Sequence, residues 1–320
     1  MNEWQTMLSA VASVFLVVIA GAFARGRDWL TEEADQTLVR LTIWMLYPAL
    51  ILDTMGSNDR LFSTNSIFIA PVIGFALPVL GFAVAFVSLK LLGKTLPMES
   101  RAHRMTFIVT VGLFNYGYIP VPLTLQLFPG DAATLSSLFL HNAGVDMAIW
   151  LIAVPLVAGK QATKGIPRES MVIIVTIATA LLLNYTHLWQ RRPIWFGDSV
   201  RMLGTMAIPI SLLLSGAMIA DVWKQAQFRS AGAPAVVGAF IRLAVLPACF
   251  VALAVLLPVS TGLKRVLVIQ AAMPSAVFSI ILGRHFGGDV AMAVRIVIIT
   301  SIISLGTIPL WLWIGFKMIG

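Results

Sequence analysis

The chain is poor in almost everything that a water-soluble enzyme depends on. Of 320 residues 11% are charged, and acidic side chains are the scarcer sign, 14 Asp and Glu against 22 Lys and Arg. The single cysteine, Cys249, lies in an apolar run, so no intrachain disulfide forms. With four histidines besides, there is no Cys/His cluster spaced for a structural metal, and no cofactor is expected. His-Glu-x-x-His, Gly-x-Ser-x-Gly and paired aspartates on facing helices are all missing, which makes an intramembrane enzyme the weakest reading. The turn Gly287-Gly288-Asp289 is too short to cradle a nucleotide and reads as a helix connection.

Apolar residues are abundant: 59% of the chain is hydrophobic and the mean hydropathy is +0.92. That balance defines an all-α polytopic membrane protein with the lipid bilayer as its solvent and no soluble domain. The net charge of +8 sits mostly in short loops, as in positive-inside membrane proteins, and implies no nucleic-acid partner. The first apolar run follows Glu3 and precedes Arg25 and Arg27, the reverse of a signal peptide's charge order, and so predicts a retained helix.

At about 20 residues per span, ten helices are expected, over roughly 4–24, 36–56, 65–90, 104–128, 133–158, 169–189, 198–221, 233–258, 263–284 and 290–316. Arg25, Arg27, Lys90, Lys94, Arg101, Arg104, Lys160, Lys164 and Arg168 share one side in the first half, against Arg60 on the other. In the second half Arg191, Arg192, Arg201, Lys264 and Arg265 oppose Lys224, Arg229 and Arg284, a weaker bias of the other sign. The first half dominates, so both termini are expected outside.

Prolines and turns recur between the halves. Pro48 and Pro209 lie 161 apart, Pro78 and Pro247 169, Pro122 and Pro274 152, and Pro155 and Pro309 154. Phe128-Pro129-Gly130-Asp131 is echoed by Phe286-Gly287-Gly288-Asp289 at 158. An odd number of helices per copy makes the second copy inverted, giving two five-helix repeats over 1–160 and 161–320.

The fourth and ninth spans are the informative ones. Phe114-Asn115-Tyr116-Gly117-Tyr118-Ile119-Pro120-Val121-Pro122-Leu123 and Gln270-Ala271-Ala272-Met273-Pro274-Ser275-Ala276 put prolines inside runs long enough to cross a bilayer. Proline lacks an amide hydrogen and clashes with the carbonyl four residues back, so both helices are expected to break, with half-helices starting after Pro122 and after Pro274. Broken backbone at membrane depth is tolerated where it lines a cavity or is buried in protein. Paired breaks in two halves point to a transporter's binding site.

Gly21 through Met55, Asn115 through Leu123, Ala271 through Ala276 with Gly283 through Asp289, Ser211 through Gly216, Arg242 with Pro247, and Thr307 through Leu310 together resemble the auxin efflux carrier family. The resemblance spans nearly the whole chain. It implies a ten-helix carrier whose fourth and ninth helices cross at their breaks, a fold shared with bile acid sodium symporters. It also implies helices 1, 2, 6 and 7 as a scaffold and homodimer surface, and organic anions such as auxin-like or dicarboxylic acids as substrates. The chain departs from the family where Pro120 replaces a glycine and where Phe278 replaces a polar residue.

The half-helix ends are expected to hold a carboxylate without a lysine or arginine. Asn115 and Gln270 would add amides and Ser275 a hydroxyl, with Tyr116, Tyr118 and Phe278 as flat walls beside Pro120, Pro122 and Pro274. Packing kinks mended by Asn115 are the plainer alternative. His141, Asp146 and Arg242 are buried ionisable candidates, with Asp146 and Arg242 at similar depth and expected to pair. Asp53 and Asp221 close their helices and read as interface markers, Asp53 with a possible proton-linked role. A secondary carrier for a small organic anion leads. A sodium- or proton-coupled symporter is the nearest alternative, less favoured because no acidic residue stands beside either break in the sequence.

Overall fold

The computed structural model describes residues 3–59, 61–62, 65–92, 96, 98, 100–159, 167–225 and 232–320. Arg60, Lys94, Lys160, Lys164 and Arg229, counted above as loop charges, lie outside the described residues. Within them every regular element is a helix. The helices are α1 (Glu3–Gly26), α2 (Glu32–Gly56), α3 (Ser66–Leu92), α4 (Arg101–Gly112), α5 (Pro120–Leu127), α6 (Ala132–Ala158), α7 (Arg168–Tyr185), α8 (Ile194–Gln225), α9 (Ala233–Leu256), α10 (Thr261–Ala272), α11 (Phe278–His285) and α12 (Val290–Ile319). Eight of these are long and apolar enough to cross a membrane. The other four are the short pairs α4/α5 and α10/α11, each pair interrupted in its middle.

Local chemistry explains where these helices begin and bend. Thr31, Ser100, Asp131, Ser260 and Asp289 each accept a hydrogen bond from the amide three residues on, satisfying an N–H that a helix start leaves free. In α2, α6 and α9 a wide turn precedes Pro48, Pro155 and Pro247. There the amides of Tyr47, Val154 and Leu246 bond to the carbonyls of Thr42, Ile149 and Ile241, five residues back. Widening one turn absorbs the clash that an interior proline imposes, so all three helices continue through it.

The two breaks are differently placed from the sequence expectation. Helix α5 begins at Pro120, not after Pro122, and the opened stretch lies ahead of the prolines, between Gly112 and Pro120. Pro120 and Pro122 occupy the first turn of α5, where a missing N–H costs nothing and a fixed φ helps initiation. In the second break α11 begins at Phe278, four residues past Pro274. Pro274 lies in the non-helical stretch between Ala272 and Phe278, where its carbonyl accepts the Asn115 amide of the other break.

The paired half-helices match in form. α4 and α10 each have 12 residues and a serine cap, Ser100 and Ser260. α5 and α11 each have 8 and are followed by a glycine at positive φ, Gly130 at 78° and Gly287 at 72°, then by an aspartate that caps the next helix. Around them α3 lies along α6 and α4, while α10 packs against α6, α9 and α12. α1 lies along α8, and α2 rests on α7 and α8. The α3–α6 contact is backbone to backbone. A Cβ at Gly74 would fall 1.9 Å from the His141 carbonyl oxygen, and one at Gly144 1.9 Å from that of Pro71. Small residues at both points let the helices touch, which sets the position of His141, Asn142 and Asp146 beside the first break.

Candidate functional site

The two breaks meet. Phe114 and Ser275 form an isolated antiparallel bridge, in which the Asn115 amide donates to the Pro274 carbonyl and the Ala276 amide to that of Leu113, both at 2.9 Å. Opening two helices in an apolar interior frees backbone groups that need partners, and here each break satisfies part of the other. Phe107, Leu113, Phe114, Phe250, Leu267 and Met273 are fully buried around the junction. Described surface clefts at Arg40, Trp44 and Arg168, and at Arg101, Gly159 and Phe286, lie away from it.

Pairing is incomplete, and the remainder is what a ligand would use. Among the described residues the amides of Gly117, Tyr118 and Ile119 in one break, and of Val277 and Phe278 in the other, have no protein acceptor. The start of α5 offers less than expected, because Pro120 and Pro122 have no N–H and the amides of Val121 and Leu123 bond to the carbonyls of Gly117 and Ile119. The free donors therefore sit in the break itself.

Side chains tie the breaks to α6. Gln270 donates from Nε2 to the Tyr116 carbonyl at 3.3 Å and to Asn142 Oδ1 at 3.2 Å, while its own Oε1 is buried without a partner. His141 is buried with Nδ1 3.3 Å from the same Asn142 oxygen and Nε2 unpartnered. The Ser275 amide donates to Thr300 Oγ1 at 3.3 Å, leaving the serine hydroxyl unpartnered. Asn115 is buried, and its side-chain amide bonds to no described residue. Tyr118 is half-buried, and Phe278 stands edge-on to Trp150 at 6.2 Å. Asn142 and Thr300 were missed from the sequence, where each looks like one more small polar residue in an apolar helix.

The buried charges are arranged differently from the expected pair. Asp146 does not meet Arg242; it accepts the Tyr116 hydroxyl at 2.7 Å. An acidic residue therefore does stand beside the first break, brought there from α6. Arg242 is fully buried, with its guanidinium over the rings of Phe114 (5.3 Å) and Phe250 (5.5 Å), and it donates one long bond, 3.4 Å, to the Ala271 carbonyl. Helix rotation decides this: Arg242 sits in the wide turn of α9, which aims it at the junction of Phe114 and α10 rather than at α6. Asp53 lies elsewhere, 3.7 Å from Arg192 and 3.4 Å from Arg201, and joins α2 to the start of α8. Asp221 likewise pairs with Arg25, which also binds Asp35, so Arg25 is a buried clamp rather than a loop charge.

Interrupted helices meeting inside a bundle of membrane-length apolar helices define a polytopic membrane protein with a central polar junction. Comparison with known proteins specifies the class. A sequence profile described as membrane transport protein matches residues 6–179 and 170–312, and the chain belongs to that family, the auxin efflux carriers. It is 23% identical over 312 residues to an uncharacterized transporter of Methanocaldococcus jannaschii, covering 96% of this chain and 98% of the relative. A second uncharacterized transporter, from Methanothermobacter thermautotrophicus, is 23% identical over 303 residues, covering 94% and 96%.

Proposed function

We propose that the protein is a secondary transporter of a small organic anion, a carboxylate of the auxin-like or dicarboxylic kind, bound where the two broken helices cross. The observation that carries this reading is the mutual pairing of the breaks, with free amides of Gly117 to Ile119 and of Val277 and Phe278 on either side of it. Amide donors held rigidly in a low-dielectric interior suit a carboxylate, because the protein has already met the cost of arranging them.

In this reading α4 with α5 and α10 with α11 are each one interrupted span, giving ten spans in two inverted five-helix repeats, 1–160 and 161–320. The equal lengths and matching caps of the half-helices support it. α1, α2, α7 and α8 form a scaffold and homodimer surface, and the crossing domain moves against them to expose the site to each side in turn. The chain lies in the bacterial inner membrane with both termini outside. Coupling to a proton or to sodium is a second reading, favoured by Asp146 beside the first break.

Counterflow in liposomes tests the function. Purified protein should accelerate exchange of a labelled monocarboxylate or dicarboxylate and leave its neutral amide untouched; equal rates with and without protein across the panel would end the proposal.

A further inference from the structure

We infer that Arg242 receives the ligand's negative charge and that the ligand carries a single carboxylate. The inference rests on the anion-transport reading and assigns to a side chain the charge recognition that helix ends alone were expected to supply.

The guanidinium is fully buried and meets no acidic group among the described residues. Its Nε and Nη1 have no hydrogen-bond partner, and its single bond to Ala271 is long. Arginine does not shed its proton in proteins, so this cation persists in an apolar interior. Aromatic faces attract a cation but accept no N–H bonds in its plane, so Phe114 and Phe250 hold the head in place and leave its donors open. An arginine kept for structure at this depth would be expected to have a carboxylate beside it.

Its neighbours belong to the crossing. Phe114 is bridged to Ser275, and its ring lies 6.2 Å from that of His141; Ala271 follows Gln270. Ser275 Oγ, unpartnered beside this bridge, can donate to an anion, whereas Gln270 Oε1 and, with Nδ1–H directed at Asn142 Oδ1, neutral His141 Nε2 can only accept. Arg242 supplies the positive charge here, enough for one anionic group, and Asp146, reached through Tyr116, opposes a second. Arg242, Phe114, His141, Gln270 and Ser275 are sealed from solvent here, so the ligand meets Arg242 when the crossing opens toward one side.

The test is thermal melting of the purified full chain with acetate, butyrate, benzoate and phenylacetate, their neutral amides, and succinate and isophthalate. Monocarboxylates should raise the wild-type Tm and the other ligands should not. Arg242→Met should lose that response while melting, without ligand, no lower than wild type, since a lone buried charge has been removed. Arg242→Lys keeps the charge without the planar fork and should bind about tenfold more weakly, the equivalent of one charge-assisted bond. If Arg242→Met does not fold, the lysine variant decides. Arg242→Met retaining the wild-type response, Arg242→Lys binding as tightly as wild type, or dicarboxylates stabilising as strongly as monocarboxylates would overturn the assignment. A wild type indifferent to every carboxylate would instead refute the anion reading, and the role of Arg242 with it.

Discussion

Changing Tyr116 to phenylalanine removes one oxygen and tests how the first break is anchored. The Tyr116 hydroxyl donates to Asp146 at 2.7 Å, and this is the bond that joins the break's side chain to α6. A hydrogen bond to a charged acceptor contributes about 1.5–3 kcal/mol in soluble proteins. In membranes the unfolded reference also finds partners, and cross-helix bonds there reach about 1.7 kcal/mol at most. Asp146 is partly buried, so about 0.6–1.7 kcal/mol is expected for the Tyr116–Asp146 coupling. The assay is a double-mutant cycle of Tyr116→Phe and Asp146→Asn, read by denaturant unfolding of the purified protein in one detergent. Each single change should destabilise, and the pair should cost less than their sum by that coupling. Additivity within about 0.3 kcal/mol would mean that the hydroxyl and the carboxylate do not meet, and would return Asp146 to the search for another partner.

Two further expectations follow from the topology and from charges outside the spans. With both termini outside, an impermeant thiol reagent applied to intact cells should label a cysteine at Gly130 and spare one at Glu169; labelling of Glu169 alone would invert the orientation. Burial raises the Asp131 pKa, but bonds from the Thr134 hydroxyl and amide and the Arg265 guanidinium outweigh it and hold the carboxyl below its ordinary 3.8. A depressed folded-state pKa gives stability that is present above about 3.8 and is lost as pH falls through the folded value. Wild-type Tm should therefore drop more steeply than that of Asp131→Asn on acidification below pH 4, and parallel curves would contradict the pairing.

The long spans and the existence of both breaks were legible because length, apolarity and misplaced prolines are properties of the chain itself. Break positions were less so. Pro120 was read as an interruption, yet a proline is equally at home in a helix's first turn, and only the run of residues ahead of it shows which applies. Partnerships were least legible. In a helix apolar on every face no stripe reveals which side faces inward, so equal depth suggested an Asp146–Arg242 pair where rotation gives Asp146 to Tyr116 and Arg242 to two aromatic rings. The antiparallel pairing of the breaks joins residues more than 150 positions apart, and nothing local in either stretch encodes it. The glycines were visible, but the 1.9 Å approaches at Gly74 and Gly144 are properties of the assembled helices.

That the crossing is the binding site is open to a single measurement, carboxylate counterflow in liposomes by wild type, Asn115→Ala and Gln270→Ala at matched protein density and orientation. Asn115 has a free side-chain amide, and Gln270 holds both Tyr116 and Asn142. Asn115→Ala should slow exchange about tenfold, the loss of one hydrogen bond to a charged group, and Gln270→Ala should slow it by releasing Tyr116 and Asn142 from their places at the break, while the protein stays folded in the membrane. Wild-type exchange rates in both variants would place the site away from the crossing.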